Sequence, residues 1–392
     1  MWIERKWEAG IRTLAKAFPV VLITGPRQVG KTSLLRHLFP GTPYVTFDDR
    51  ALAEQADSSP DVFFDHHPPP LIIDEVQYVP SLFRELKTVV DRAPKKRGQY
   101  LLTGSQTFPL MQEVSESLAG RCGILPMNTL SFEEISAASP DTQDLAFLAR
   151  GGYPALHDGT FEAPADFYAS YVATYLERDV RNLKNVGDLR DFDRLLRAAA
   201  LRSGQILSYA DLARDVGVSP HTAKAWVSVL EASGQVLLLE PYHRNLTTRL
   251  VKSPKLYFLD TGLVCHLAGI RDPRSLVASP MAGALWETFV VGQVVRHFQV
   301  RREKPPLWFW RTAQGDEVDL LVEHGGRFIA IECKLTIHPE DRDLRGLRAL
   351  EAYYGEGAIE RAFVACRTPH EYAFRAWPRA KAVGVEALTA GL

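Results

Sequence analysis

Apolar residues fall in short continuous blocks over the first third of the chain and at helical spacing over the second. FPVVLITG (18–25), PLIIDE (70–75) and GQYLLTGS (98–105) are buried-strand patterns separated by helical ones, which predicts a parallel α/β sheet. SSPDVFFDHHPPP (58–70) has the proline and polar content of a loop, and DTQDLAFLARGGYP (141–154) predicts a closing helix and a turn. The middle opens with ADFYASYVATYLERDVRNLKNV (165–186), helical in period. The last part predicts an apolar helix (283–298) and strands at 307–312, 317–323 and 327–335. A helix (342–355), a strand (361–366) and a short tail follow. The expected domains are therefore 1–155, 165–275 and 280–392.

At 392 residues, 46% of them hydrophobic and 24% charged, the composition is globular and excludes disorder or a rod. No run reaches the ~18 apolar residues of a membrane span, and the charged N-terminus lacks a signal-peptide core. A cytoplasmic chain with no membrane partner is expected. The four cysteines are far apart, without a CxxC pair, so neither disulfides nor a zinc site are expected. The net charge of -1 excludes a polybasic nucleic-acid binder. Residues 166–255 are mildly basic, with 13 Lys/Arg against 10 Asp/Glu.

GPRQVGKT (Gly25 to Thr32) is a complete GxxxxGK[ST] motif between a strand and a helix. Such a loop wraps phosphates with backbone N–H groups, aided by the helix N-terminus. The nucleotide-binding candidates are Gly25, Pro26, Arg27, Gln28, Val29, Gly30, Lys31, Thr32, Ser33 and Asp74. Lys31 is expected on the β- and γ-phosphates of ATP, with Thr32 and Asp74 holding Mg²⁺. Glu75, beside Asp74 at the end of LIIDE, is the candidate general base. Ser105 or Gln106, after LLTG, can reach the γ-phosphate or the water. Arg121, in ESLAGR, can stabilise phosphate charge in its own or a neighbouring subunit.

GPRQVGKTSLL, LIIDEVQ, LLTGSQ, ESLAGR and GGYP, in this order, resemble the AAA+ branch of phosphate-loop ATPases. They are similar to a large bacterial and archaeal family of predicted ATPases with a C-terminal domain of unknown function. The resemblance covers essentially the whole chain. It implies an ATP hydrolase and a homo-oligomer, such as a hexameric ring.

In residues 208–245, Leu212, Ala213 and Val216 form one helix face, Gly217 a turn, and Ser219 with Pro220 the start of a second helix. Ala223, Trp226, Val227 and Leu230 form that helix's buried stripe. QVLLLEPY then reads as a strand and wing, the order of a winged helix, whose second helix enters the major groove of DNA. His221, Thr222, Lys224 and Ser228 are the exposed candidates for DNA, with Arg244, Asn245 and Arg249 on or after the wing. Packing between domains is the alternative use of such a module.

In RFIAIECKL, alternation puts Glu332 and Lys334 on one strand face, beside Asp319 of EVDLLVE. Glu287, a carboxylate inside an apolar helix, completes a set that resembles the PD-(D/E)XK nuclease fold. The resemblance implies a restriction-endonuclease-like α/β C-terminal domain with a hard-cation site, or a binding scaffold of the same fold. The parts together imply a Mg-dependent ATPase acting as a motor or remodeller on DNA, branched or junction DNA included. The alternatives are an ATP-gated metal-dependent nuclease and an ATP-switched regulatory or protein-recruiting module without DNA.

Overall fold

The computed structural model describes residues 2–105, 108–176, 189–242 and 253–392. The chain divides into two compact units. The first comprises Met1–Leu130 with the short segments Ala232–Gly234 and Gln299–Glu303; the second holds the rest. Apart from those two short segments, the stretches expected as separate middle and C-terminal domains fall in the second unit, together with residues 131–155.

In the first unit α1 (Glu8–Ala17) leads into β1 (Val20–Thr24), α2 (Lys31–Leu38) and β2 (Tyr44–Thr46). Then come α3 (Arg50–Ser58), α4 (Pro60–His66), β3 (Leu71–Asp74), α5 (Leu82–Asp91), β4 (Tyr100–Gly104), α6 (Phe108–Ser117) and β5 (Cys122–Pro126). The sheet order is β2-β3-β4-β1-β5, and every pairing is parallel. Helices on both faces bury β1, β3 and β4 completely, which is why these strands are continuous apolar runs. β4 lies between β3 and β1, so the ends of all three open onto one edge of the sheet.

Two features depart from the sequence expectation. Residues 60–66 form a helix, not a loop: Pro60 takes the first helical turn, where its missing N–H costs nothing, and Phe63 and Phe64 are buried. β2 and β5 are additional strands; one is three residues long and the other carries Gly123 and Pro126, so neither announces itself in the pattern.

The second unit begins with α7 (Phe132–Ala138), α8 (Asp144–Arg150), α9 (Pro164–Tyr171) and α10 (Leu189–Ala200). β6 (Gln205–Ile206), α11 (Tyr209–Val216), α12 (Pro220–Ala232), β7 (Val236–Leu239) and β8 (Lys255–Phe258) follow. The strands form a small antiparallel sheet ordered β6-β8-β7. After α13 (Thr261–Leu267) and α14 (Pro273–Ala278) comes the long buried helix α15 (Ala282–Val300). Among the described residues, no helix is long and apolar enough to cross a membrane.

The remaining elements are β9 (Leu307–Arg311), β10 (Glu317–His324), β11 (Arg327–Cys333), α16 (Arg345–Tyr354), β12 (Ile359–Ala365), β13 (Tyr372–Phe374), β14 (Trp377–Val383) and α17 (Val385–Ala390). They build a mixed sheet ordered β13-β14-β12-β11-β10-β9. The expected short tail is thus two strands and a helix; β13 and β14 form a hairpin at the sheet edge, with too many exposed positions to show a buried run. Pro241 bridges to Phe309, which brings the end of the small sheet onto β9.

Candidate functional site

The phosphate loop leaves β1 at Gly25, whose φ of 137° and close approach to β5 admit no side chain. A Cβ there would lie 2.0 Å from the Met127 carbonyl oxygen. Gly30, also left-handed at φ 90°, opens α2. Lys31 is buried, and its ammonium donates to the carbonyls of Gly25 (3.0 Å) and Pro26 (2.7 Å).

Asp74 ends β3 beside this loop. Its Oδ1 accepts from the Thr32 hydroxyl at 2.9 Å, the Glu75 N–H at 3.1 Å and the Thr103 hydroxyl. Its Oδ2 accepts from the Tyr44 hydroxyl at 3.0 Å. Thr32 and Asp74 therefore offer adjacent hard oxygens, a donor set that fits Mg²⁺.

Glu75 follows in a left-handed conformation, φ 56°. Burial pushes its carboxyl above the usual range, while the Gln77 hydrogen bond and the charges of Arg27 and Lys31 pull it back. The Gln77 amide donates to Glu75 Oε2, and its own oxygen accepts from the Ser105 N–H at 3.2 Å. Gln77 thus ties the candidate base to the end of β4. The Ser105 hydroxyl is buried and has no hydrogen-bond partner among the described residues. Gln106 lies outside the described residues.

Arg121 sits elsewhere. It precedes β5, and the register Val20↔Cys122 to Thr24↔Pro126 puts it at the opposite end of the sheet from the loop. That separation is roughly 15 Å, the length of a five-residue strand. Its guanidinium forks onto the Asp91 carboxylate at 2.7 and 2.8 Å. This placement sets Arg121 apart from its own chain's phosphate loop.

Sequence reasoning missed Thr103, Tyr44 and Gln77. A buried threonine inside LLTG was a legible signal for the first, and the polar Gln in DEVQ for the last; Tyr44 reaches Asp74 only because β2 pairs with β3.

The GGYP turn is a structural anchor in the second unit. The Gly152 N–H and the Tyr168 hydroxyl donate to Asp260, at 2.8 and 2.6 Å, and Asp260 caps α13.

On α12, His221, Lys224 and Ser228 are exposed along one stripe, opposite the buried Ala223, Trp226, Val227 and Leu230. Thr222 is half-buried and engaged at the helix start: its N–H donates to Ser219 Oγ at 3.0 Å. Arg244, Asn245 and Arg249 lie outside the described residues.

In the C-terminal sheet, Leu320 pairs with Ile331, so Asp319 and Glu332 face each other one step on. Lys334 bonds Glu332 Oε1 at 2.7 Å, and the Cys333 N–H bonds Asp319 Oδ2 at 2.8 Å. Glu332 Oε2 is buried without a hydrogen-bond partner among the described residues. Glu287 instead joins Lys255 of β8 (2.8 Å) and the Tyr257 hydroxyl. Lys255 also pairs with Glu317 and reaches Asp319 at 3.8 Å. Burial first, then the charge of Asp319, raises Glu287 to about 7 and Glu332 to about 8. Among the described residues, no group of three or more His, Cys, Asp or Glu side chains is arranged to hold a metal ion. Lys255 was invisible in the sequence reading, because SPKLYF looks like any short strand.

Three family descriptions match the chain: "AAA domain" over residues 17–136, "Domain of unknown function (DUF8612)" over 142–274 and "Domain of unknown function (DUF4143)" over 282–387. Uncharacterized protein Rv2008c of Mycobacterium tuberculosis is 35% identical over 342 residues, 86% of this chain and 76% of the relative. Uncharacterized protein Mb2031c of Mycobacterium bovis matches to the same extent. Among solved structures, the Walker-type ATPase of Pyrococcus abyssi is 16% identical with a TM-score of 0.47. That match covers 68% of this chain and 96% of the other.

Proposed function

The chain belongs to the family of AAA-domain phosphate-loop ATPases that carry the C-terminal domain DUF4143, and on that premise we propose that its ATP hydrolysis is Mg²⁺-dependent and acts on DNA. The proposed parts are an ATPase at 1–155, a helical and winged-helix module at 165–275 and a nuclease-like domain at 280–392. They work together as a motor or remodeller of duplex or branched DNA.

At the ATPase site Lys31 binds the transferred phosphates and the Gly25–Ser33 loop wraps them. Thr32 and Asp74 would hold Mg²⁺, which when bound neutralises phosphate charge. Glu75 takes the proton of the attacking water, and Gln77 and Ser105 position it and read the γ-phosphate. Arg121 serves a neighbouring copy's site in a homo-oligomeric ring.

The observation that carries the DNA reading is the solvent-facing stripe His221, Lys224 and Ser228 on α12. It follows a helix and turn and precedes an antiparallel strand pair, as a groove-reading helix requires. The nuclease-like residues Glu287, Asp319, Glu332 and Lys334 belong to a second DNA-facing part.

The test is DNA binding over a salt series for wild type and Lys224→Glu/His221→Glu. Binding should weaken steeply with salt, and the double variant should lose most of it. Unchanged binding by the variant removes α12 from the account. No salt-dependent binding at all favours a protein-recruiting module without DNA.

A further inference from the structure

A PD-(D/E)XK-type site brings carboxylates together around a divalent cation, and here a side chain already stands among them. Lys255 is 3% exposed and comes from β8 of the small sheet, not from the sheet that carries the acids. Its ammonium has three N–H donors. It donates to Glu287 Oε1 at 2.8 Å and pairs with Glu317 Oε1, and Asp319 Oδ1 lies within ion-pair range at 3.8 Å. The Phe309 ring lies 5.5 Å from the same nitrogen and adds a cation–π face.

The Tyr257 hydroxyl, two residues along the same strand and so on the same face, donates to Glu287 Oε1 as well. Lys334 pairs with Glu332 Oε1 at 2.7 Å. Two built-in ammonium groups thus stand among the acids of the cluster, Lys255 beside Glu287 and Glu317 and Lys334 beside Glu332.

We propose that Lys255 takes the place of the divalent cation in the C-terminal carboxylate site, making it a metal-free, internally neutralised site. The inference rests on the nuclease-like reading of Glu287, Asp319, Glu332 and Lys334. Two consequences follow from a fixed ammonium at this place. The site does not activate water through a metal, and its neutralisation does not depend on the supply of Mg²⁺.

The test is Mn²⁺ binding to the full chain, counted by equilibrium dialysis with electron paramagnetic resonance of the free ion. Every protein carries Asp74→Asn, which removes the ATP-site ligand. The comparison is between this background, Asp319→Asn, Lys255→Ala and Lys255→Ala/Asp319→Asn. The background and Asp319→Asn should hold the same amount of Mn²⁺. Lys255→Ala should gain a single Mn²⁺ per chain, lost again in the double variant, and its melting temperature should rise with Mn²⁺. A Mn²⁺ held by the background and lost in Asp319→Asn overturns the inference but leaves the nuclease-like reading intact. A folded Lys255→Ala that gains no Mn²⁺ overturns both. If Lys255→Ala does not fold, the comparison of the background with Asp319→Asn still decides, and Lys255→Arg, which keeps the cation, should fold without gaining Mn²⁺.

Discussion

Thr32 and Asp74, 42 residues apart in the chain, meet at 2.9 Å across the mouth of the phosphate loop. One is the last residue of a nucleotide-binding motif and the other ends a neighbouring strand. The parallel order β3-β4-β1 brings their ends to the same edge, where ligands bind in open α/β sheets. Thr103, Tyr44 and the Glu75 N–H complete the shell that fixes the aspartate.

Lys31 and Glu75 should fail differently. Lys31→Ala should lose nucleotide binding along with turnover, since the lysine meets the phosphates in the ground state as well as in the transition state. Glu75→Gln should bind ATP normally and lower kcat by about 10²–10⁴-fold, because only the base is removed. Fluorescent-nucleotide titration beside steady-state turnover separates the two. Wild-type turnover by Glu75→Gln would remove Glu75 from its assigned role.

Gln77 is a positioning residue that touches Glu75 on one side and the Ser105 backbone on the other. Gln77→Ala should lower kcat on the order of 10- to 100-fold with KM for ATP little changed, the cost of a misplaced base. Gln77→Asn, which keeps the amide but shortens the reach, should fall between. A change confined to KM would mean that Gln77 serves binding instead.

Arg121 is paired with Asp91 at the far end of its own sheet, and the proposed role is on the ATP of another copy of the chain. Arg121→Ala and Glu75→Gln should each be slow alone and regain part of the rate when mixed, because one chain supplies the arginine and the other the glutamate. No regain in freely exchanging mixtures assigns Arg121 to its Asp91 bridge alone.

Glu332 gives a pH signature. Its folded pKa of about 8 lies well above that of an unfolded glutamate, owing first to burial and then to Asp319. The folded state therefore holds the extra proton, and this contribution to stability is lost as pH rises toward 8. Glu332→Gln cannot titrate, so its melting temperature relative to wild type should climb from about pH 5 to about pH 8 and level off above that. A difference that stays flat with pH would show that Glu332 titrates normally.

Much of the ATPase site was legible because it is local. The loop, LIIDE and LLTGS are contiguous runs whose strand ends must lie together once the sheet is parallel. Glu332 and Lys334 were legible as a pair for the same reason, since a strand's alternation sets their common face. Lys255 was not, because its importance comes from the approach of a second sheet that only tertiary packing creates. The position of Arg121 needed the register of β1 with β5, and α4 hid behind its prolines until Phe63 and Phe64 found a core.

The most direct measurement of the central claim is the ATPase rate with single-stranded, duplex and four-way-junction DNA, at fixed salt and Mg²⁺, with Lys31→Ala as the blank. The account predicts a Lys31-dependent rate that at least one of the three DNAs raises several-fold, and a rise that Lys224→Glu/His221→Glu removes. A Lys31-dependent rate that none of the three changes would contradict action on DNA.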